Sequence, residues 1–247
     1  PYSESLKAAG NFTPAFDMQL DIYKKMFADL KEGISGFDAG LKMQGDIMYA
    51  GDPAKWKKLA NTLRMQLALR LSKRYPAPGG LAATEFAAAA ADPAGFIATN
   101  ADNFTLNYPG GAAYRHPWYD IYDGRSDYAI SKTLTDILSN MGDARRNAYG
   151  STGAAFPYGL KREDAIKEPL SYAKVLADSK RDQASPVVVI SAASSLLAVA
   201  EGLERGWATA TVSPAYTSAK TAYEDGIKAS FDQWGIAGGA AYSVSGP

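Results

Sequence analysis

The sequence predicts a mainly α-helical fold, in which antiparallel helix pairs of tetratricopeptide-like type form an α–α superhelical scaffold with long irregular loops. Three observations predict it. Apolar residues recur at i, i+3, i+4 spacing in several long segments. Few segments alternate apolar and polar residues as strands do. A Thr-Pro, Asp-Pro or Ser-Pro pair opens four of the helical segments, and such pairs typically mark a helix N-terminus.

The first two helices have the clearest boundaries. The first is predicted over residues 14–31, with Thr13 as the N-cap and Pro14 at the first helical position. The second begins after Asp52 in the same arrangement and reads "PAKWKKLANTLRMQLALRLSK". It carries seven cations and no acid between Pro53 and Arg74. A basic helix of this kind suits nucleic acid, a membrane surface or the interior of a helical scaffold.

The charge balance and the apolar pattern favour the scaffold for this second helix. The 26 Lys and Arg residues equal the 26 Asp and Glu residues, whereas nucleic-acid binders usually carry a basic excess. Trp56 belongs to one apolar stripe and Met65 lies on the opposite side, so the helix is expected to lie between two neighbours. Arg70 falls within the main stripe. We expect it to have low exposure and a carboxylate or carbonyl partner, as a buried cation requires.

Acids of adjacent helices are the expected partners of the second helix's arginines. We expect Arg64 and Arg70 to pair with such carboxylates, for example Asp17, Asp21 or Asp29 on the first helix.

The remaining helices alternate with two long irregular stretches. A short alanine-rich helix is predicted from Thr84, and a helix from Ser126 is expected to bury Ile130, Leu134, Ile137, Leu138 and Met141 on one face. Residues 92–125 and 142–183 are irregular, and loops of that length often carry function or partner contacts. Helices 186–207 and 214–234 are expected to form an αα-hairpin, with Trp207 and Trp234 as structural residues. The run "VVVI" in the first of these also suits a strand.

Most catalytic chemistries lack their residues in this chain. Without cysteine there is no disulfide, thiolate metal site or cysteine nucleophile. The one histidine, His116, excludes a histidine-cluster metal site and comes without a nucleophile-elbow motif. No phosphate-binding glycine motif occurs, and we predict no cofactor. Acid pairs such as Asp120/Asp123 or Glu163/Asp164 leave a glycosidase open as an alternative.

The first irregular stretch is rich in aromatic residues. Rings with polar tips suit carbohydrates, because the C–H face of a sugar stacks on the ring while polar side chains bond the hydroxyls. We predict ligand-binding rings at Tyr114, Trp118, Tyr119 and Tyr122, with Arg115 and Asp120 as polar partners. The alternative is that these rings only seal a long loop against the helices.

Several blocks together resemble the SusD/RagB-like outer-membrane lipoproteins of Bacteroidetes, in the branch described as starch-binding and outer-membrane-associated. These blocks are "PYSESLKA" at the start, "DIYKKMFADLKEGI", "GDIMYAGDPAKWKKLANTLRMQLALRLSK", "SDYAISKTLTDILSNMGDAR", "FPYGL", "SPVVVISAASSLLAVAEGLERGW" and "AYEDGIKASFDQWGI". Their order and spacing match over nearly the whole chain. The resemblance implies a helical scaffold of tetratricopeptide-like pairs and a binding role without catalysis.

The resemblance also implies partners and a location. It implies a surface-exposed lipoprotein of the outer membrane that delivers a nutrient, often a glycan, to a SusC-like TonB-dependent transporter. Membrane attachment would come only through an N-terminal lipid anchor absent from this chain, and no nucleic acid is expected. Residues 1–247 are expected to form a single α-helical SusD-like domain that lacks the N- and C-terminal parts of the full family length. A helical-repeat interaction scaffold without a small ligand remains the main alternative function, and a glycan-processing enzyme is a further one.

Overall fold

The computed structural model describes residues 2–38, 40, 42–169, 171–208, 216 and 218–239. Helices dominate this part of the chain, which confirms the mainly α-helical prediction. The helices are α1 (Gln19–Gly36), α2 (Pro53–Arg70), α3 (Leu81–Ala90), α4 (Pro117–Tyr122), α5 (Lys132–Asn140), α6 (Arg146–Tyr149), α7 (Arg162–Ala165), α8 (Ala192–Glu204) and α9 (Ala219–Trp234). The strands are β1 (Phe104–Leu106) and β2 (Val187–Ile190). Within the described residues, no helix combines the length and apolarity needed to cross a bilayer.

The chain forms two compact units. The helical unit comprises the described residues of Pro1–Gly45, Ala50–Ala98 and Ser195–Tyr223, including α1, α2 and α3. The loop-rich unit comprises those of Asp46–Tyr49, Thr99–Ser194 and Glu224–Pro247, including both strands and α4 to α7. Helices α8 and α9 each contribute residues to both units.

Helix α2 begins and packs as the sequence predicts. The Asp52 carboxylate accepts hydrogen bonds from the backbone N–H of Ala54 at 2.9 Å and of Lys55 at 3.4 Å, and Pro53 occupies the first helical position. This cap satisfies donors that every helix N-terminus leaves unpaired. The helix packs against both α1 and α3, and Met65 on its second face is fully buried. The prediction of a scaffold helix between two neighbours is therefore confirmed.

The buried arginine of α2 is Arg64, and the expectation of low exposure for Arg70 is wrong. Arg70 is exposed at the last turn of the helix, whereas the Arg64 side chain is only 5% exposed. Arg64 donates from Nη2 to Glu85 Oε2 at 3.2 Å and from Nη1 to Asn61 Oδ1 at 3.1 Å. The second Glu85 oxygen accepts from Lys31 Nζ at 2.7 Å. The partner is thus an acid of an adjacent helix, as predicted, but it comes from α3 and not from the α1 acids given as examples, because the buried face of α2 turns Arg64 toward α3.

The predicted start of α1 at Pro14 is also wrong. The helix begins at Gln19, and the segment before it is extended. The Asp17 carboxylate accepts hydrogen bonds from the backbone and side chain of Ser3, and Glu4 accepts the backbone N–H of Ala15 at 3.0 Å. These contacts with the N-terminal segment hold residues 15–17 outside the helix. The Thr13–Pro14 capping pattern could not predict them, because it depends only on neighbouring residues.

Helix α5 begins at Lys132, six residues after its predicted start at Ser126. The backbone of Ile130 is already occupied, since its N–H donates to Ala173 O and its carbonyl accepts from Phe156 N, both at 2.9 Å. The predicted apolar face is only partly buried. Leu138 and Ile130 are buried, but Leu134, Ile137 and Met141 are exposed.

The "VVVI" run is a strand, which corrects the helix predicted from Pro186. Strand β2 pairs antiparallel with β1, with Thr105 opposite Val188 and Leu106 opposite Val187. The long-range partner allows β-branched residues to take the extended conformation they favour, and α8 follows only from Ala192. Helix α3 begins at Leu81, three residues before its predicted start. The last predicted helix start, at Ser213 and Pro214, lies outside the described residues.

We expect a glycine of α8 to be intolerant of a methyl group. A Cβ built on Gly202 would lie 2.1 Å from Cε1 of Phe86, a fully buried ring of α3. Gly202→Ala should therefore lower the free energy of unfolding by about 1–3 kcal/mol, as overpacking does, measured by urea denaturation. Gly33→Ala is the matched control, because Gly33 lies inside α1 with nothing within 4 Å of its built Cβ. That change should stabilise by about 0.5–1 kcal/mol, and equal effects of the two changes would contradict the close approach.

Candidate functional site

The aromatic segment predicted to bind a ligand is organised around α4. His116 is its N-cap, with Nδ1 accepting the backbone N–H of Trp118 at 3.1 Å and Pro117 at the first position. The backbone N–H of His116 donates to the backbone carbonyl of Gln183 at 2.9 Å. This short helix is thus held by a residue far along the chain, in the second irregular stretch.

Tyr122, one of the predicted ligand-binding rings, is buried and structural. Its hydroxyl accepts the Val175 N–H at 2.8 Å and donates to the Tyr128 carbonyl at 3.2 Å. The Lys174 ammonium and the Arg181 guanidinium lie over its ring, 4.9 and 5.0 Å from the ring centre. Burial raises the pKa of its hydroxyl. These neighbours occupy the ring in this structure, and the ligand-binding role of Tyr122 stays a prediction.

Trp118 connects the buried ring to the surface. It stacks on Tyr122 with ring centres 5.8 Å apart and an interplanar angle of 24°. Tyr128 meets Trp118 edge-on, again at 5.8 Å, and is half exposed. Trp118 itself is partly exposed. The series Tyr122, Trp118, Tyr128 therefore runs from the interior of the loop-rich unit to its surface.

The other predicted site residues divide into a charged cluster and an exposed ring. Arg115 pairs with Asp120 at 2.6 Å and with Asp123 at 3.0 Å, and its guanidinium lies 5.2 Å from the centre of the Tyr119 ring. Tyr119 also accepts a hydrogen bond from Gln183. These groups are largely engaged with one another, whereas Tyr114 is 69% exposed.

A pocket lined by four aromatic residues lies beside Tyr128. We call it the aromatic pocket; it has a volume of about 220 Å³. Its rings are Tyr128, Phe156, Tyr158 and Tyr172, and its carboxylates are Asp127 and Glu168. Phe156 contacts both Tyr158 and Tyr172 edge-on at 5.1 Å. Tyr158 is more than half exposed, and its hydroxyl donates to the Ala129 carbonyl at 2.9 Å, which holds the ring in place.

One carboxylate of the aromatic pocket lies beside a ring hydroxyl. Glu168 accepts a hydrogen bond from the Tyr172 hydroxyl, and this bond, together with burial, raises the pKa of Tyr172. Flat rings with nearby carboxylate acceptors are a combination that suits a sugar, which presents C–H faces and hydroxyl donors.

A second pocket of about 300 Å³ in the same unit is lined by Trp118. We call it the His116 pocket. Its walls include Trp118, Trp234 and the β2 residues Val187 and Val188. His116 lines it although only 1% of its surface is exposed, and burial lowers the pKa of its imidazole. The histidine is therefore neutral near pH 7.

Sequence reasoning missed Phe156, Tyr158 and Tyr172, and considered His116 only for metal binding and catalysis. The three rings lie in the second irregular stretch and meet the first one only through folding. A usable signal was present in "FPYGL", one of the blocks on which the family resemblance was based. In the part of the chain that is described, no group of three His, Asp or Glu residues is placed to hold a metal ion.

The tryptophans predicted as structural take different positions. Trp207 is buried in the helical unit, where it meets Phe86 edge-on at 6.2 Å and lies under Arg205. Trp56 is partly exposed on α2. Trp234 contacts Tyr149 edge-on at 5.1 Å and also lines the His116 pocket.

A family model described as "Starch-binding associating with outer membrane", SusD-like, matches residues 1–245. The chain belongs to this SusD-like family. The resemblance found in the sequence blocks is thereby confirmed. No curated protein matches the chain significantly.

Solved structures of SusD homologues share this fold. A chitin-binding SusD homologue from Flavobacterium johnsoniae is 29% identical, with a TM-score of 0.79 over 96% of this chain and 49% of that one. A second chitin-binding protein is 28% identical, with a TM-score of 0.75 over 98% and 55% of the two chains. A SusD homologue from Bacteroides uniformis is 25% identical, with a TM-score of 0.77 over 94% and 48%. These likenesses confirm the SusD-like, tetratricopeptide-type fold class, and the chain spans about half the length of the structures it matches.

Proposed function

We propose that this SusD-like chain is part of a surface-exposed outer-membrane protein that binds an oligosaccharide and delivers it to a SusC-like TonB-dependent transporter. The aromatic pocket is the observation that carries the binding role. Family membership supports the location at the outer membrane, where a lipid anchor at the protein's N-terminus would attach it. The two chitin-binding neighbours support a glycan as the nutrient.

The proposed sugar platform is the exposed surface of Tyr128 and Tyr158 in the loop-rich unit. Both rings are fixed from behind, Tyr128 by Trp118 and Tyr158 by Phe156 and the Ala129 carbonyl. A ring that is already ordered loses little conformational freedom when a sugar stacks on it. Asp127 and Glu168 then serve as acceptors for sugar hydroxyls.

Truncating the platform should weaken binding without unfolding the protein. Tyr158→Ala is expected to lower affinity for a bound oligosaccharide about two- to tenfold, since ring stacking is worth about 0.5–1.5 kcal/mol and ~1.4 kcal/mol corresponds to a factor of ten. Isothermal titration calorimetry with starch-, cellulose- and chitin-derived oligosaccharides measures it. Tyr223→Ala is the control, because Tyr223 is similarly exposed but belongs to the helical unit.

The same titrations separate the alternatives. If no oligosaccharide binds, the interaction scaffold without a small ligand becomes the better account. A loss of affinity from Tyr114→Ala but not from Tyr158→Ala would place the platform on the loop predicted from sequence, outside the aromatic pocket. We further propose binding without turnover, so chromatography after prolonged incubation should return the oligosaccharide unchanged, and any shorter product would support the enzyme alternative.

A further inference from the structure

We propose that the His116 pocket binds the acetamido group of an N-acetylated sugar residue, with the His116 Nε2–H donating to the amide carbonyl oxygen. The inference rests on the proposed glycan-binding function and adds the class of sugar to it. It concerns residues apart from the aromatic pocket, and its test is separable.

His116 presents one directed donor to this pocket. Its Nδ1 accepts the Trp118 N–H, so a neutral imidazole carries its proton on Nε2. No described residue accepts a hydrogen bond from that nitrogen, although the side chain is almost completely buried. Nε2 is not one of the fully buried unpaired atoms, so this donor reaches the open space of the pocket that His116 lines. A ligand acceptor there can replace water on the donor, and the amide carbonyl is a strong neutral acceptor.

The walls of the His116 pocket suit a methyl group. Leu176, Pro186, Val187 and Val188 form an aliphatic side, and Trp118 and Trp234 add aromatic surface. A hydroxyl placed against the aliphatic side would lose its hydrogen bonds to water, whereas the acetamido methyl loses nothing. Ser179, Ser185 and Gln233 line the remaining wall. An acceptor oxygen next to a methyl group is the arrangement that distinguishes an N-acetylated sugar from its hydroxyl counterpart.

Charge in the pocket disfavours a free amine at the same position. Lys180 lines the pocket. Among the described lining residues there is no carboxylate to offset it. A deacetylated sugar would bring an ammonium group toward this cation, which repels it. Trp118 also contacts Tyr128 of the aromatic pocket, so the neighbouring sugar of one oligosaccharide has a ring to stack on.

Three trisaccharides with the same β-1,4 backbone test the proposal by calorimetry. They are tri-N-acetylchitotriose, cellotriose with a hydroxyl in place of each acetamido group, and chitotriose with a free amine. We expect the acetylated form to bind about tenfold more tightly than cellotriose, as one hydrogen bond and one buried methyl allow, and chitotriose to bind most weakly. Equal or tighter binding of cellotriose, or a preference for an oligouronate added as a fourth probe, would overturn the proposal.

Two variants of His116 separate the proposed donor role of Nε2 from the capping role of Nδ1 at the start of α4. In His116→Asn the amide oxygen takes the place of Nδ1 and still caps α4, but the group that reached the pocket is gone. In His116→Gln the amide nitrogen reaches the position of Nε2 and keeps a donor there. The preference for the acetylated trisaccharide over cellotriose should fall to about one in the Asn variant and persist in the Gln variant. A preference that survives in the Asn variant contradicts the role of Nε2.

The histidine also provides a direct signal, because it is the only one in the chain. The ¹H–¹⁵N resonance of its Nε2–H should shift on addition of tri-N-acetylchitotriose and stay in place with cellotriose. If both trisaccharides bind equally and the resonance does not move, the acetamido proposal fails and glycan binding stands. If neither binds, while starch-derived oligosaccharides do, the proposal again fails alone; if no oligosaccharide binds, both fail.

Discussion

Replacing Glu85 with alanine is expected to destabilise the helical unit by about 3–5 kcal/mol, the cost of leaving one member of a buried ion pair alone. Arg64 would keep its charge in a position where only 5% of its side chain is exposed. Its Nε already has no partner within the described residues. Natural domains are stable by only about 5–15 kcal/mol, so urea denaturation should show a large fall in the unfolding midpoint.

Lys31→Ala is the control for Glu85→Ala, since it removes the other partner of the same carboxylate. Lys31 is 49% exposed, and surface ion pairs contribute about 0–1 kcal/mol. Replacing both buried partners, as Arg64→Met with Glu85→Leu, should recover most of the lost stability, because no uncompensated charge remains. If Glu85→Ala costs no more than Lys31→Ala, the pair is not desolvated as the structure indicates.

Replacing Arg145 with alanine should have a comparable effect in the loop-rich unit, again about 3–5 kcal/mol at pH 7. The Arg145 guanidinium binds the Asp143 carboxylate with Nε at 3.0 Å and Nη2 at 2.6 Å, and the Asp143 side chain is 1% exposed. Arg145 also donates to Ser230 Oγ at 2.8 Å and lies 4.4 Å from the ring centre of Phe231. Loss of Arg145 leaves the buried Asp143 carboxylate unpaired by this guanidinium and removes the contacts of Arg145 with Ser230 and Phe231 of α9.

The pH dependence of the free energy of unfolding shows how much the charged Asp143 contributes to stability. Burial raises the pKa of Asp143, but the side-chain and backbone hydrogen bonds from Arg145 outweigh burial, so the pKa lies below its usual value. A carboxyl with a lowered pKa in the folded state stabilises the protein above its unfolded pKa of about 3.9. That stabilisation is lost as the pH falls through the folded value.

Without Arg145, burial dominates and the pKa of Asp143 is expected to rise. The free-energy difference between the parent protein and Arg145→Ala should therefore be largest near neutral pH and shrink as the carboxyl is protonated in acid. Urea denaturation across that range measures it. A difference that stays constant between neutral and strongly acidic pH would show that the charge of Asp143 is not what Arg145 stabilises.

Features with local causes were predictable from the sequence. The Asp52–Pro53 start of α2 depends on groups within three residues of each other, and the two-sided apolar pattern of α2 depends on helical period alone. The starts of α1 and α5 were wrong because Asp17 and Ile130 bond to residues far away in the chain. The "VVVI" strand needed β1, more than 80 residues earlier by the register of Phe104 with Ile190.

The candidate site shows the same division. The aromatic segment around Trp118 was recognisable by composition, and that residue does connect to the surface rings. Whether each ring faces outward was not recognisable, because Tyr122 is buried by Lys174 and Arg181 from the second irregular stretch. The arginines of α2 are a further example. Arg64 and Arg70 both lie near apolar stripes of the helix, but Arg64 is the one buried, because it faces Glu85 of α3.

The buried hydroxyl of Tyr122 makes the framework of the loop-rich unit independent of its surface rings. It fastens residues 128 and 175 to α4 through two hydrogen bonds that point away from solvent. Exchanging an outward ring such as Tyr158 leaves those two bonds intact, so the surface rings of the loop-rich unit can be substituted without loosening the framework that Tyr122 holds together.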